Sequence, residues 1–92
     1  MLDKRKFYIN GKWVSPSKPN DLDVINPSTE EAFATISLGS KEDTNAAVSA
    51  AKKALVTWSQ SSKEERVNLL EKLLDIYKKR YSEMVDAISM EM

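Results

Sequence analysis

The 92-residue sequence contains no cysteine and no histidine, and it has only two glycines. Without cysteine or histidine, the chain offers no disulfide, no thiol nucleophile, no zinc site of the usual ligands and no imidazole base. Gly11 and Gly39 stand far apart, so they cannot form a glycine-rich phosphate-binding loop. The catalytic chemistry that depends on these residue types is therefore excluded within the 92 residues.

The charge balance excludes two classes of partner. Lys and Arg total 14, Asp and Glu total 14, and the formal net charge is zero. Nucleic-acid and anionic-membrane binders need a basic excess, so we expect neither partner. No uncharged stretch approaches the ~20 apolar residues of a membrane span, and no apolar run typical of a secretory signal follows the basic start. The lack of cysteine fits a reducing compartment, so the expected location is the cytoplasm.

Residues 1–39 have the pattern of strands and turns. Phe7–Ile9 and Lys12–Val14 are rich in aromatic and β-branched residues, and they flank an Asn-Gly pair that suits a type I′ hairpin turn. Residues 22–25 and 33–37 also have strand character, and the turn chemistry of residues 26–31 lies between them. The sequence therefore predicts two β-hairpins.

Residues 40–92 have the pattern of helices. Ser40 can cap a first helix, whose apolar positions form a thin, alanine-rich stripe. Ser62 and Glu65 fit a capping box for a second helix. That helix carries a broad apolar stripe: Val67, Leu70, Leu73, Leu74, Tyr77, Tyr81, Met84, Val85 and Ile88. Neither Gly nor Pro occurs after Ser62, so the pattern predicts one long helix, or two with a break near Tyr81 and Ser82.

Few side chains are candidates for chemistry. Trp13 and Trp58 could stack on a ligand, but packing in a core or an interface is favoured, and Met84 is predicted to be core. The basic run at residues 78–80 has acidic neighbours and is predicted to be a solvated helix face. The same interpretation holds for the helical carboxylates, which have no histidine, cysteine or apolar pocket beside them: Glu64, Glu65, Glu83 and Glu91.

Several motifs match one family in order and spacing. Residues 7–14, FYINGKWV, resemble the opening hairpin of NAD(P)-dependent aldehyde dehydrogenases, and residues 24–31, VINPSTEE, resemble their V-x-N-P-[AS]-T-x-E turn. Residues 40–58 are similar to the family's first helix, and residues 65–73 to the start of its second. Residues 88–92, ISMEM, resemble the beginning of its E-M-G-x-P stretch. The resemblance extends from about Lys6 to Met92.

The resemblance implies an α/β fold of Rossmann type in the parent protein, in which this segment supplies two N-terminal β-hairpins followed by two long amphipathic helices. Residues 1–39 and 40–92 would then both be parts of the cofactor-binding domain rather than complete domains. The implied activity is oxidation of an aldehyde to a carboxylic acid with NAD or NADP, through a cysteine nucleophile. Since that cysteine and the cofactor turn are not among these residues, we assign no catalytic or cofactor-binding residue. We expect the isolated chain to be inactive and to bind no cofactor.

The resemblance also implies a candidate metal position and candidate partners. Some family members bind a monovalent cation through backbone carbonyls just before the Asn-Pro turn, which corresponds to Val24 and Ile25 here. The expected partners are the remainder of an aldehyde dehydrogenase chain or other copies of this chain in a homo-oligomer. A second hypothesis is a stand-alone helical interaction module that self-associates or binds a partner through its apolar face. The first is favoured because the sequence ends inside a family motif.

Overall fold

The computed structural model describes residues 1–92 as five strands followed by three helices. The strands are β1 (Leu2–Lys4), β2 (Phe7–Ile9), β3 (Lys12–Val14), β4 (Asp21–Asn26) and β5 (Glu31–Ser37). The helices are α1 (Lys41–Trp58), α2 (Lys63–Lys79) and α3 (Tyr81–Glu91). No helix combines the length and the apolar character needed to cross a membrane.

The first hairpin is confirmed. Strands β2 and β3 pair antiparallel, with Tyr8 opposite Trp13. Asn10 has φ 55° and Gly11 has φ 75°, so both central turn residues occupy the left-handed region that a type I′ turn requires. The Asn-Gly pair therefore fixes the register of this ribbon.

The second hairpin is confirmed, and its strands are longer than the sequence predicted. Strands β4 and β5 pair antiparallel, from Asp21 opposite Ser37 to Asn26 opposite Glu31. In the turn between them, the backbone N–H of Ser28 donates to Asn26 Oδ1 at 2.9 Å. This is the local side-chain bond expected of an asparagine before a turn.

Strand β1 is an element that the sequence did not predict. It pairs in parallel with β5, so that the larger sheet has the order β1-β5-β4 and contains more than a hairpin. The three residues of β1 are exposed, and their sequence, Leu-Asp-Lys, has no strand pattern of its own. The edge of β5 supplies the hydrogen-bonding partners, and Arg5 bridges to Asp21 of β4 at 3.3 Å.

The sequence left open whether residues 62–92 form one helix or two. The structure contains two, α2 and α3, so the chain has three helices in total rather than two long ones. Helix α2 ends at Lys79, Arg80 has φ −105° and ψ 15°, and α3 begins at Tyr81. The Arg80 guanidinium donates to both carboxylate oxygens of Glu83, at 2.8 and 3.1 Å. This ion pair spans the first turn of α3, and no Gly or Pro marks the break.

The elements form almost no core among themselves. Only Ala34 and Ser37, both on β5, are buried, and no helix contains a buried residue. The radius of gyration is 16.9 Å, whereas a compact domain of this length has about 12 Å. The segment is therefore an open layer with apolar surfaces that its own elements leave uncovered.

The two capped helices give a matched stability prediction. Ser40 Oγ accepts from the Asp43 N–H and bonds to Ser17 Oγ, whereas Ser62 Oγ accepts only from the Glu65 N–H. Ser40→Ala should destabilise the start of α1 by about 1 kcal/mol. Hydrogen exchange of the amides in the first turn should then be roughly fivefold faster. Ser62→Ala should produce a smaller rise, confined to α2. Equal effects of the two variants in hydrogen-exchange mass spectrometry would show that the bond to Ser17 contributes nothing.

Candidate functional site

The two backbone candidates for a monovalent cation lie next to each other in β4. The pairing with β5 shifts register at this point, so that Val24 lies opposite Ala34 and Ile25 opposite Ala32. Phe33 is therefore an extra residue on β5, as in a β-bulge, which interrupts the regular ladder of backbone bonds. No group of three or more His, Cys, Asp or Glu side chains lies close enough together to hold a metal ion. A cation at these carbonyls stays a prediction.

The helical carboxylates are not brought together. Glu83 is bound by Arg80, and this ion pair lowers the pKa of Glu83 and raises that of Arg80. Both side chains are more than half exposed, so the pair contributes little to stability and is screened by salt. Glu64, Glu65 and Glu91 are likewise exposed, as expected of a solvated helix face. None of them lies in the buried setting that would tune a carboxyl group for acid–base catalysis.

A contact between the loop after β3 and the start of α1 was not predicted. The Asp43 carboxylate accepts the backbone N–H of Ser40 and that of Ser17, each at 3.0 Å, and these bonds lower the pKa of Asp43. Ser17 Oγ and Ser40 Oγ are 2.7 Å apart. The sequence predicts Ser40 as the cap of α1, but nothing local points to Ser17, which is 26 residues from Asp43. The cluster fixes the position of the first hairpin against α1.

A second cluster holds the N-terminal strand. Arg5 donates to both carboxylate oxygens of Asp3, each at 2.9 Å, and its third nitrogen lies 3.3 Å from Asp21. These side-chain bonds lower the pKa of Asp3 from 3.8 to about 2, and they raise the pKa of Arg5. Because the three side chains are exposed, the cluster orients β1 rather than forming a ligand site.

The Asp3 cluster predicts that the stability of the folded chain decreases at strongly acidic pH. A depressed pKa means that the ionised carboxylate stabilises the folded chain above pH 3.8, and that this contribution is lost as the pH falls through about 2. Carbon-detected NMR should therefore give Asp3 a titration midpoint near 2. In Arg5→Gln the midpoint should return towards 3.8. An Asp3 midpoint that does not change in this variant would contradict the assigned ion pair.

The aromatic and methionine side chains expected to pack remain exposed, which corrects the core assignment within this segment. Trp13 is 68% exposed and Trp58 is 47% exposed, while Met84 is 46% exposed. Trp13 contacts only one aromatic ring, that of Tyr8, with centroids 5.2 Å apart. The physical reason is that the segment is a single layer, so that side chains predicted as core have no second layer against them.

The most prominent surface is apolar and runs along both C-terminal helices. Its residues, 43–63% exposed, follow the stripe predicted from helical spacing, and we call them the helical apolar surface: Leu70, Leu73, Leu74, Tyr77, Tyr81, Met84, Val85 and Ile88. Tyr77 and Tyr81 pack edge to face at 6.1 Å, so the surface continues across the break between α2 and α3. A contiguous apolar surface of this kind is typical of an interface rather than of a catalytic centre.

The chain's own residues do not fit a nicotinamide cofactor. Gly11 is used in the tight turn of the first hairpin, and Gly39 lies against the Phe7 ring at 3.8 Å, so neither forms a phosphate-binding turn. The only parallel strand pair is β1 with β5, which have no crossover helix directly between them that could receive a pyrophosphate at its N-terminus. If the parent enzyme uses NAD or NADP, other residues of that protein hold it.

Comparison with known proteins identifies the class. The model of the aldehyde dehydrogenase family matches residues 13–92. The full 92 residues are 42% identical to a 3-succinoylsemialdehyde-pyridine dehydrogenase from a Pseudomonas species and cover 19% of its length. The chain belongs to the aldehyde dehydrogenase family, and it corresponds to the N-terminal part of such an enzyme.

Solved structures agree with this assignment. The chain superimposes on an aldehyde dehydrogenase from Bartonella henselae with a TM-score of 0.99 and 61% identity, covering all of this chain and 19% of that one. A cysteine-to-alanine mutant of aldehyde dehydrogenase C from Pseudomonas syringae, in complex with NAD+ and octanal, gives a TM-score of 0.93 and 40% identity. That match covers 96% of this chain and 18% of the other. The chain thus spans about one fifth of its relatives' length.

Proposed function

We propose that these 92 residues are the N-terminal structural segment of an enzyme that oxidises an aldehyde to a carboxylic acid, with NAD or NADP as the hydride acceptor. The observation that carries the proposal is the match over the whole chain to one fifth of an aldehyde dehydrogenase at a TM-score of 0.99. The NAD+ complex of the related P. syringae enzyme supports a nicotinamide cofactor in the parent protein. The isolated chain has no thiol nucleophile and is inactive on its own.

The role of the segment in this proposal is to cover other parts of the enzyme. Residues 1–39 and 40–92 both belong to the cofactor-binding domain, and neither is a complete domain. The helical apolar surface supports this because it is uncovered within the segment. The partners are the remainder of the chain and further copies of it in a homo-oligomer, with no role for nucleic acid or a membrane surface. Carbonyls of Val24 and Ile25 stay candidates for a monovalent cation, and the cytoplasmic location stays a prediction.

The proposal is tested by the intact mass of the protein together with the reading frame beyond Met92. We expect a frame that continues and encodes a cysteine nucleophile and a glycine-rich cofactor turn. A stop codon directly after Met92, with an intact mass equal to that of the 92 residues, would contradict the proposal. The stand-alone interaction module would then be the remaining hypothesis, although no comparison favours it at present.

A further inference from the structure

The turn of the first hairpin contains a backbone N–H that has no hydrogen-bond partner. Asn10 and Gly11 are the two central residues of this turn, and both are exposed. The N–H of Gly11 donates to no backbone or side-chain acceptor, and the side-chain amide of Asn10 forms no hydrogen bond. A Cβ added to Gly11 would meet no atom within 4 Å. The Gly11 nitrogen and the Asn10 side chain are therefore both unengaged, and the space around them is open.

An unengaged pair of this kind has a chemistry of its own, since asparagine is one of the thermolabile residues of proteins. Once the Gly11 nitrogen has given its proton to water, it can attack Cγ of Asn10. A bond forms between these two atoms and closes a five-membered succinimide ring, while the Cγ–Nδ2 bond breaks and the nitrogen leaves as ammonia. Glycine favours this attack because it has no Cβ to hinder the approach.

The ring then reacts with water to give two products. Attack of water at Cγ leaves an ordinary aspartate at position 10, and the main chain keeps its course. Attack at the backbone carbonyl carbon leaves isoaspartate, in which the main chain runs through Cγ and contains one additional backbone atom. An Asp-Gly pair suits a type I′ turn as well as Asn-Gly does. Isoaspartate does not, because the extra atom changes the spacing between the two strands.

The other four asparagines of the chain are held in ways that oppose the same reaction. Asn26 is followed by proline, which has no N–H to lose. Asn45 and Asn68 lie within α1 and α2, where the N–H of the next residue belongs to the hydrogen bonds of the helix. The carbonyl of Asn20 accepts the N–H of Leu38 at 2.8 Å, which restrains the peptide group that follows it. Asn10 alone combines a free side chain with a free neighbouring N–H.

Ring closure also requires the hairpin to open, because the turn fixes Asn10 at φ 55°. Strands β2 and β3 have three residues each and form a two-stranded sheet of their own. A two-stranded ribbon is only marginally stable, so local opening has a low free-energy cost. We propose that Asn10 is the principal site of spontaneous deamidation in this chain, and that its isoaspartate product unpairs the first hairpin.

The test uses a chimera in which these residues replace the matched fifth of the B. henselae enzyme. The chimera is aged at mildly alkaline pH, and peptide mapping by mass spectrometry follows the conversion of each side-chain amide to the acid. We expect Asn10 to convert at least about tenfold faster than each of the other four asparagines, with isoaspartate among the products. Asn10→Gln is the matched variant and should abolish this conversion, because its longer side chain would have to close a six-membered ring.

Hydrogen exchange of the β2 and β3 amides measures the structural consequence. In the isoaspartate form these amides should exchange at least about tenfold faster than in the unaged chimera. Asn10→Asp, which has the same added charge on an ordinary main chain, should exchange at the unaged rate. Conversion at Asn10 no faster than at Asn45, or a product without isoaspartate, would overturn the proposed site. Unchanged exchange in the isoaspartate form would overturn the unpairing of the hairpin.

Discussion

Leu73→Glu is expected to have different effects in the 92-residue chain, or short chain, and in a chimera in which these residues replace the matched fifth of the B. henselae enzyme. In the 92-residue chain, Leu73 is 60% exposed in the middle of the helical apolar surface, and we predict that this surface drives self-association. A glutamate there should shift the chain towards monomer, because association would bury its charge. In the chimera we expect the same position to be covered by the rest of the enzyme, so the variant should destabilise the fold by about 3 kcal/mol or more.

The two effects are measured independently and share one control. Sedimentation velocity over a range of concentrations gives the association state of the short chain, and chemical unfolding gives the stability of the chimera. Asn68→Glu adds the same charge to α2 at an exposed position off the apolar stripe, and it should change neither quantity appreciably. A wild-type short chain that is monomeric at every concentration would contradict the predicted self-association. A chimera unaffected by Leu73→Glu would contradict the covered interface.

The isolated 92-residue chain is expected to produce no NADH or NADPH from any aldehyde. The reaction in this family's chemistry needs a thiolate to attack the aldehyde and a positioned nicotinamide to accept the hydride. The chain has no cysteine, and its two glycines serve in a hairpin turn and beside Phe7. The loss relative to an intact enzyme is therefore complete rather than partial. The absorbance of the reduced cofactor measures its formation. The assay is repeated with repurified chain to exclude a contaminating enzyme.

Activity that stays with the 92-residue chain through successive purification steps would contradict the structural role assigned to it. Binding is the second readout, since a chain without a cofactor site should not change the fluorescence of added NADH. The intact B. henselae enzyme is the positive control in both assays.

The parts of the fold that follow from sequence are those set by neighbouring residues. Asn10 and Gly11 determine a tight turn because the type I′ geometry needs positive φ at both positions. Asn26 determines the second turn through its bond to the Ser28 N–H. Ser40 with Asp43, and Ser62 with Glu65, mark the helix starts because a cap joins residues three apart. In each case the partner lies within a few residues.

The parts that sequence did not predict depend on distant partners. Strand β1 forms because the distant strand β5 offers it an edge, with Leu2 opposite Ala34. The contact of Ser17 with Asp43 has no local signal either. The break at Arg80 was one of two alternatives that the sequence left open, because no Gly or Pro marks it. The assignment of Met84 to a core failed for a related reason, since the periodicity shows which face is apolar but not which partner covers it.

In the candidate site, too, local patterns were predictable from the sequence and contacts between distant elements were not. Helical spacing identified the helical apolar surface residue by residue, from Leu70 to Ile88. The open cleft between the larger sheet and the two C-terminal helices could not be predicted, because it arises where β1 and β5 approach α2 and α3. The family was indicated by the order of its motifs, and the matches to aldehyde dehydrogenases confirmed it.

The most direct test of the account is the steady-state activity of the chimera. If these residues are the structural first segment of an aldehyde dehydrogenase, the chimera should fold and reduce NAD+ with an aldehyde at a rate within about tenfold of the B. henselae parent. The B. henselae chain that lacks the matched fifth should be insoluble or inactive. A chimera that folds with native stability but has no activity, or a truncated parent that is fully active, would contradict the account.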